Sequence, residues 1–192
     1  MMKIKQLIVL MVLLIPCMAQ AHDEGVSVGF LPGLTHPVLG LDHLLAMISV
    51  GILSAQMGGK AIWIVPSAFV VLMLVGGVMG MNYISLFSVE LGIAVSVLVL
   101  GIAIAAEKKL PTLLAIIAVG FFALFHGHAH GTEMPEIATP LPYASGFITG
   151  TALIHVAGVV IGIVSKRFSA GPQLLRYMGA AIAGIGFHII VA

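Results

Sequence analysis

Six apolar stretches, each long enough to cross a bilayer as a helix, fill residues 37–57, 61–82, 89–106, 111–133, 142–165 and 172–191. Crossing the hydrocarbon layer takes about 20 apolar residues. Lipid offers the backbone no hydrogen-bond partners, so such stretches must be helical. The breaks between them carry loop chemistry: Gly58-Gly59-Lys60, Asn82, Glu107-Lys108-Lys109 before Pro111, the run from Pro135 to Pro142, and Lys166-Arg167 before Gly171-Pro172. Composition agrees. Charged residues make up 8% of the chain and hydrophobic ones 60%, against about 25% charged in a soluble domain. That is too little charge to cover a water-facing surface. The predicted fold is an all-α membrane protein, a six-helix transmembrane bundle. Among the 23 glycines, runs such as Gly76-Gly77-x-x-Gly80 suit close helix packing. No internal repeat, soluble domain or low-complexity tract is evident.

Ahead of the first stretch, Met-Met-Lys-Ile-Lys precedes an apolar run from Leu7 to Ile15, and Ala19-x-Ala21 follows. A basic start, a short apolar core and small residues at the cut describe a signal peptide over residues 1–21. The membrane domain is then 22–192, with His22 at the mature N-terminus. A lipoprotein signal ending at Cys17 fits less well because Pro16 stands before it; an uncleaved first helix is the other alternative. With the signal removed and the N-terminus outside, six spans place Lys60, Lys108, Lys109, Lys166, Arg167 and Arg176 all on the cytoplasmic side, as the positive-inside rule requires. Both mature termini are then periplasmic, and the chain sits in a bacterial inner membrane among lipid. One span more or fewer would scatter those charges over both faces.

Several chemistries are excluded. A net charge of +1 with no basic patch argues against a nucleic-acid partner. The one cysteine, Cys17, lies in the signal segment, which removes disulfides and a thiolate metal site from consideration. There is no GxxxxGK[ST] phosphate loop, so the chain does not hydrolyse ATP by that route.

The same topology sorts the remaining ionisable groups toward the outer face. His36, Asp42 and His43 fall at the outer end of the first span, Glu90 at the start of the third, His126, His128, His130, Glu133 and Glu136 at the end of the fourth, and His188 near the end of the last. His155 lies near mid-membrane. Ionisable groups inside a membrane are costly and tend to mark a pathway or site. In Phe125-His-Gly-His-Ala-His-Gly-Thr-Glu133, a helix continued to Pro135 spaces His126, His130 and Glu133 as i, i+4, i+7 on one face, with His128 opposite. Two imidazoles and a carboxylate are a partial ligand set for a divalent first-row metal. The plainer alternative is a water-exposed polar cap, but Gly127 and Gly131 suit burial against a neighbour. In Thr35-His-Pro-Val-Leu-Gly-Leu-Asp-His43, Pro37 suits the first helical turn, and His36 and His43 share a face if the helix reaches back that far. Asp42 can ligate directly or hold His43 in one tautomer. Met47, one turn further, offers a thioether, though a core role is commoner for such a methionine. Counting the helical rise, His43 and His126 lie about 9 and 10 Å inside their span ends, so the two motifs can meet at one level if spans one and four touch. Proton and metal compete for the same imidazole lone pair, so such a pocket loads best at neutral or higher pH. His155 could be a deeper stop or a structural hydrogen bonder. At the mature N-terminus His22, with the free amine, could chelate a divalent ion, or belong to a polar tail.

His36-x5-Asp42-His43 and Phe125-His-Gly-x-Ala-His-Gly-x-Glu133 resemble the two signature motifs of the HupE/UreJ proteins, and the resemblance extends over the signal peptide and all six spans. The resemblance implies a nickel permease, in some members for cobalt, associated with hydrogenase or urease maturation proteins. It implies functional roles for His36, Asp42, His43, His126, His130 and Glu133; His128, Glu90, His155 and His22 are additions from the residues alone. The expected function is therefore a transition-metal permease, not an enzyme, with Ni2+ as the transported ion. The ligand types alone equally admit Co2+, Zn2+ or Cu2+. A metal sensor or chaperone, or a membrane-embedded metalloenzyme, remains as an alternative.

Overall fold

The computed structural model describes residues 29–107, 110–134 and 139–192. The signal segment, His22, Lys108, Lys109 and Glu136 lie outside the described residues. Seven helices and no strands occur among those that are described: α1 (Phe30–Leu39), α2 (Leu41–Met57), α3 (Ala61–Met81), α4 (Val89–Ala106), α5 (Thr112–Thr132), α6 (Pro140–Ser165) and α7 (Gly171–Val191). From α3 onward the helices follow the apolar stretches closely. Five of them are long and apolar enough to cross a membrane, and α1 with α2 makes a sixth if the pair is one bent span.

That bend corrects the expectation for the first span. A single helix starting at Pro37 is replaced by two helices meeting at 88°. Gly40 is the break: its extended backbone, φ −92° and ψ 117°, interrupts the helical hydrogen bonding. Pro37 lies inside α1 instead of opening a helix. Thr35 and His36 are helical too, and the Thr35 hydroxyl donates back to the Leu31 carbonyl. The segment before Pro37 folds as a helix because it has a partner: α1 packs along α6.

α2 is the centre of the bundle. It packs on α3, α4 and α6, and every residue from Ser49 to Ala55 is buried. A helix that is apolar all round belongs inside. Met47, fully buried, is part of this core. The outer helices turn large side chains such as Trp63, Val71, Ile117, Phe121 and Leu153 outward, an apolar band suited to lipid. Close approach is enforced by glycine at two crossings. A Cβ on Gly127 of α5 would overlap the Met73 carbonyl of α3, and one on Gly51 of α2 would overlap the His155 carbonyl of α6. The Gly76 and Gly80 positions serve the same α3–α5 contact, facing the Leu124 and His128 carbonyls.

Alternation of the helices gathers like groups at each end. The His43, His126 and His130 positions share one end with the start of α4 and α6. Lys60, Lys166, Arg167 and Arg176 share the other. There the Lys166 ammonium donates to the Ala55 carbonyl at 2.6 Å, and the Arg176 guanidinium donates to the Ala105 carbonyl at 3.2 Å. Both neutralise the negative end of a helix.

Candidate metal centre

At the opposite end, imidazoles from three helices stack into the bundle. His36 of α1 stands nearest the mouth, a quarter exposed. Its ring centroid is 4.8 Å from that of His130 on α5. His130 is 4.3 Å from His43 on α2, and His43 is 4.8 Å from His126, again on α5. His126 is completely buried. The helix period explains half of this: His126 and His130 are one turn apart and face inward, while Gly127 and Gly131 let the adjoining face press against α3. The break at Gly40 explains the other half, because it brings His36 and His43 to α5 from two helices at right angles.

Three of the four rings, those of His36, His43 and His126, have a hydrogen-bonding neighbour. Asp42, in the first turn of α2, accepts from the His43 backbone N–H at 2.8 Å and pairs with His43 Nδ1 at 2.9 Å. A carboxylate only accepts, so the proton sits on Nδ1 and the Nε2 lone pair is bare. The Ser96 hydroxyl of α4 donates to the Ile93 carbonyl at 2.6 Å and therefore accepts from His126 Nε2 at 2.8 Å. His126 Nδ1 is left bare. At the mouth, Glu133 Oε2 is 3.3 Å from His36 Nε2 and 3.8 Å from His130 Nδ1. One ligand atom from each of His36, His130 and Glu133 lies within 4.8 Å of the others. Helix α5 stops at Thr132, so Glu133 is its C-terminal cap and not a further helical turn; half-exposed, it still reaches both rings.

The bare nitrogens are the unusual feature. His43 Nε2, His126 Nδ1 and both nitrogens of His130 are buried with no hydrogen-bond partner among the described residues. An unpaired buried polar group costs about 1–3 kcal/mol, and native interiors contain few of them. A neutral imidazole carries one lone pair, so His43, His126 and His130 offer one each, and three unpartnered lone pairs in one connected stack suit a cation. Carboxylates stand beside this stack at Asp42 and Glu133, so the donor set matches a divalent transition metal.

Of the residues singled out in the sequence, the structure brings together His36, Asp42, His43, His126, His130 and Glu133. Spans one and four do meet, but through side chains: the backbones of α2 and α5 approach each other little. Asp42 takes the orienting position rather than one facing the stack. Four others stand apart. His128 turns away, its Nε2 donating to the Ile84 carbonyl at 2.8 Å in the connection after α3. Glu90 is exposed in the first turn of α4, with no contact to the stack. His155 lies deeper, separated from His126 by the Phe69 ring, whose centroid is 5.6 Å from His126 and 5.0 Å from His155. His188 is exposed at the end of α7. Sequence reading missed Ser96, and it missed Phe147 and Tyr143, which flank the mouth at 4.2 Å from His130 and 5.9 Å from His36. The i, i+4 spacing of Tyr143 and Phe147, continued by Thr151 and His155, was a signal for an inward stripe on α6. Ser96 carried none, since a lone serine in an apolar helix most often bonds only its own backbone, as it also does here.

The fold and the stack together define a multi-pass helical membrane protein with a built polar site opening at one end of the bundle. The chain belongs to the HupE / UreJ protein family, whose profile matches residues 10–189. It is 47% identical over 180 residues to Protein HupE of Rhizobium leguminosarum bv. viciae, covering 93% of each chain. No solved structure gives a significant match.

Proposed function

We propose that the protein is a nickel permease, carrying Ni2+ from the periplasm to the cytoplasm and supplying hydrogenase or urease maturation. One observation carries the reading: a continuous stack of rings from His36 to His126, with unpartnered nitrogens on His43, His126 and His130 and carboxylates alongside. In this reading the mouth (His36, His130 and Glu133) captures the ion, and His43 and His126 take it inward. Asp42 keeps His43 in the ligating tautomer. The end carrying Lys60, Lys166, Arg167 and Arg176 faces the cytoplasm, which places the histidine mouth and both mature termini outside, after removal of residues 1–21. The membrane is then the bacterial inner membrane. A dication moving into a negative interior gains about 4.6 kcal/mol per 100 mV, twice the single-charge value, so the potential suffices as a driving force. Family membership supports nickel over the other metals that the same ligands accept.

The test uses purified protein in liposomes, with Ni2+ influx measured alone and against Co2+, Zn2+ and Cu2+. The wild type should move Ni2+ without any added partner, and His43→Ala should abolish both flux and metal-limited growth while the protein stays in the membrane. A wild type that binds Ni2+ but never moves it is a sensor or chaperone. Normal uptake by a well-expressed His43→Ala variant would sink the site.

A further inference from the structure

Below the stack lies a second group of buried donors that nothing so far employs. His155 of α6 is 2% exposed, and both of its ring nitrogens lack a hydrogen-bond partner among the described residues. One turn earlier on the same face is Thr151, fully buried. Its hydroxyl points at the Met73 sulfur of α3, 3.8 Å away. Met73 is itself one turn beyond Phe69, the ring that covers His155. Two helices thus present matching i, i+4 pairs to one another: Phe69 and Met73 from α3, Thr151 and His155 from α6. On the lipid side His155 borders an almost wholly apolar groove of about 390 Å³ between the same helices, where an imidazole finds little to bond. A purely structural histidine would have a partner; this one has none, and a hydroxyl and a thioether meet one turn away on the same two helices.

We propose that His155, past Phe69, with Met73 and Thr151 one turn nearer the stack, forms a second, inner stop for the transported ion. The inference rests on the transport reading above. Its donors are an imidazole nitrogen, a thioether sulfur and a hydroxyl oxygen, a set that accepts a divalent or softer first-row cation. All are neutral, whereas the outer stack has Asp42 and Glu133 beside it. The inner stop therefore binds less tightly than the outer one. That order suits conduction, which needs sites firm enough to enter and loose enough to leave. It also explains a geometric fact: the donors stop being charged where the path reaches the deepest part of the bundle, where a fixed carboxylate would hold the ion in place.

Titration of the full-length protein in detergent with Ni2+, paired with flux in liposomes, tests this. The wild type should show a tight and a weak class of site. His155→Phe removes both nitrogens at similar size. Because those nitrogens are unpaired, the variant should fold at least as stably as the wild type. It should weaken the weak class at least about tenfold and slow influx comparably, with the tight class unchanged. His43→Ala should do the reverse to binding, losing the tight class and keeping the weak one. Met73→Leu, close to isosteric, carries the same test if His155→Phe does not fold: the weak class alone should weaken. Unaltered weak binding in both variants overturns the inner stop and leaves the outer site standing, as does slowed flux with both classes intact. A His43→Ala variant with full uptake overturns the transport reading instead.

Discussion

Asp42 shows how one carboxylate sets the chemistry of a neighbour it does not need to share an ion with. Bound to His43 Nδ1 at 2.9 Å, it fixes which nitrogen is bare. Asp42→Asn keeps the size but can present an amide N–H to Nδ1, moving the proton to Nε2 and closing the lone pair. We expect Ni2+ affinity to fall about 10–100-fold, the range for lost orienting partners, with the melting temperature little changed; isothermal titration and a thermal melt separate the two. His128 is the contrasting case. Its bond to the Ile84 carbonyl ties α5 to the connection after α3, so His128→Phe should cost about 1 kcal/mol of stability and leave influx per folded molecule as it was. Both residues belong to motifs rich in polar groups, and what each side chain faces distinguishes them.

At the level of helices, the site depends on how closely α5 can lie against α3. Gly127→Ala places a Cβ on the Met73 carbonyl, where only backbone movement makes room. Overpacking of this kind costs about 1–3 kcal/mol. The variant should melt lower and bind Ni2+ more weakly, since His126 and His130 ride on the displaced turn. Gly184→Ala, with open space around its Cβ, is the matched control and should do neither. This is also the scale at which the sequence was only partly legible. Hydropathy located the helices from α3 onward, and the i, i+4 spacing in Phe125 to Glu133 correctly put His126 and His130 on one face. The right-angled break at Gly40 was not readable, because hydropathy runs unbroken through it and Pro37 reads equally well as a helix start. What decides is tertiary: α1 has the α6 surface to lie on. Spacing also turned His128 away from that face, but its bond to the Ile84 carbonyl and the exposure of Glu90 were not readable, since facing a neighbour or facing solvent is settled by packing.

For the whole molecule, charge distribution predicts the energetics of transport. Apart from the residues at its two ends, the bundle carries no side-chain charge along the described path below His126, so a translocating dication would carry its own charge through the field. Ni2+ influx into liposomes should therefore rise when valinomycin and an outward K+ gradient make the interior negative, and fall toward the diffusive rate when the potential is collapsed. Influx indifferent to potential would point to compensating counter-movement of protons.

The weak backbone approach between α2 and α5 has a mechanical side. Helices α1 and α2 come from the first third of the chain and α5 from the second half, and at the mouth it is imidazole rings that span the space between them. A cation seated there is a removable stitch. While present it ties distant parts of the sequence together and adds its binding free energy to the folded state, about 2.7 kcal/mol at a concentration a hundred times the dissociation constant. In the proposed transport reading, each ion that moved on would undo the stitch. The outer end of the bundle would thus be stiffest when loaded and loosest just after delivery, so occupancy itself would regulate how readily the mouth yields to the next ion.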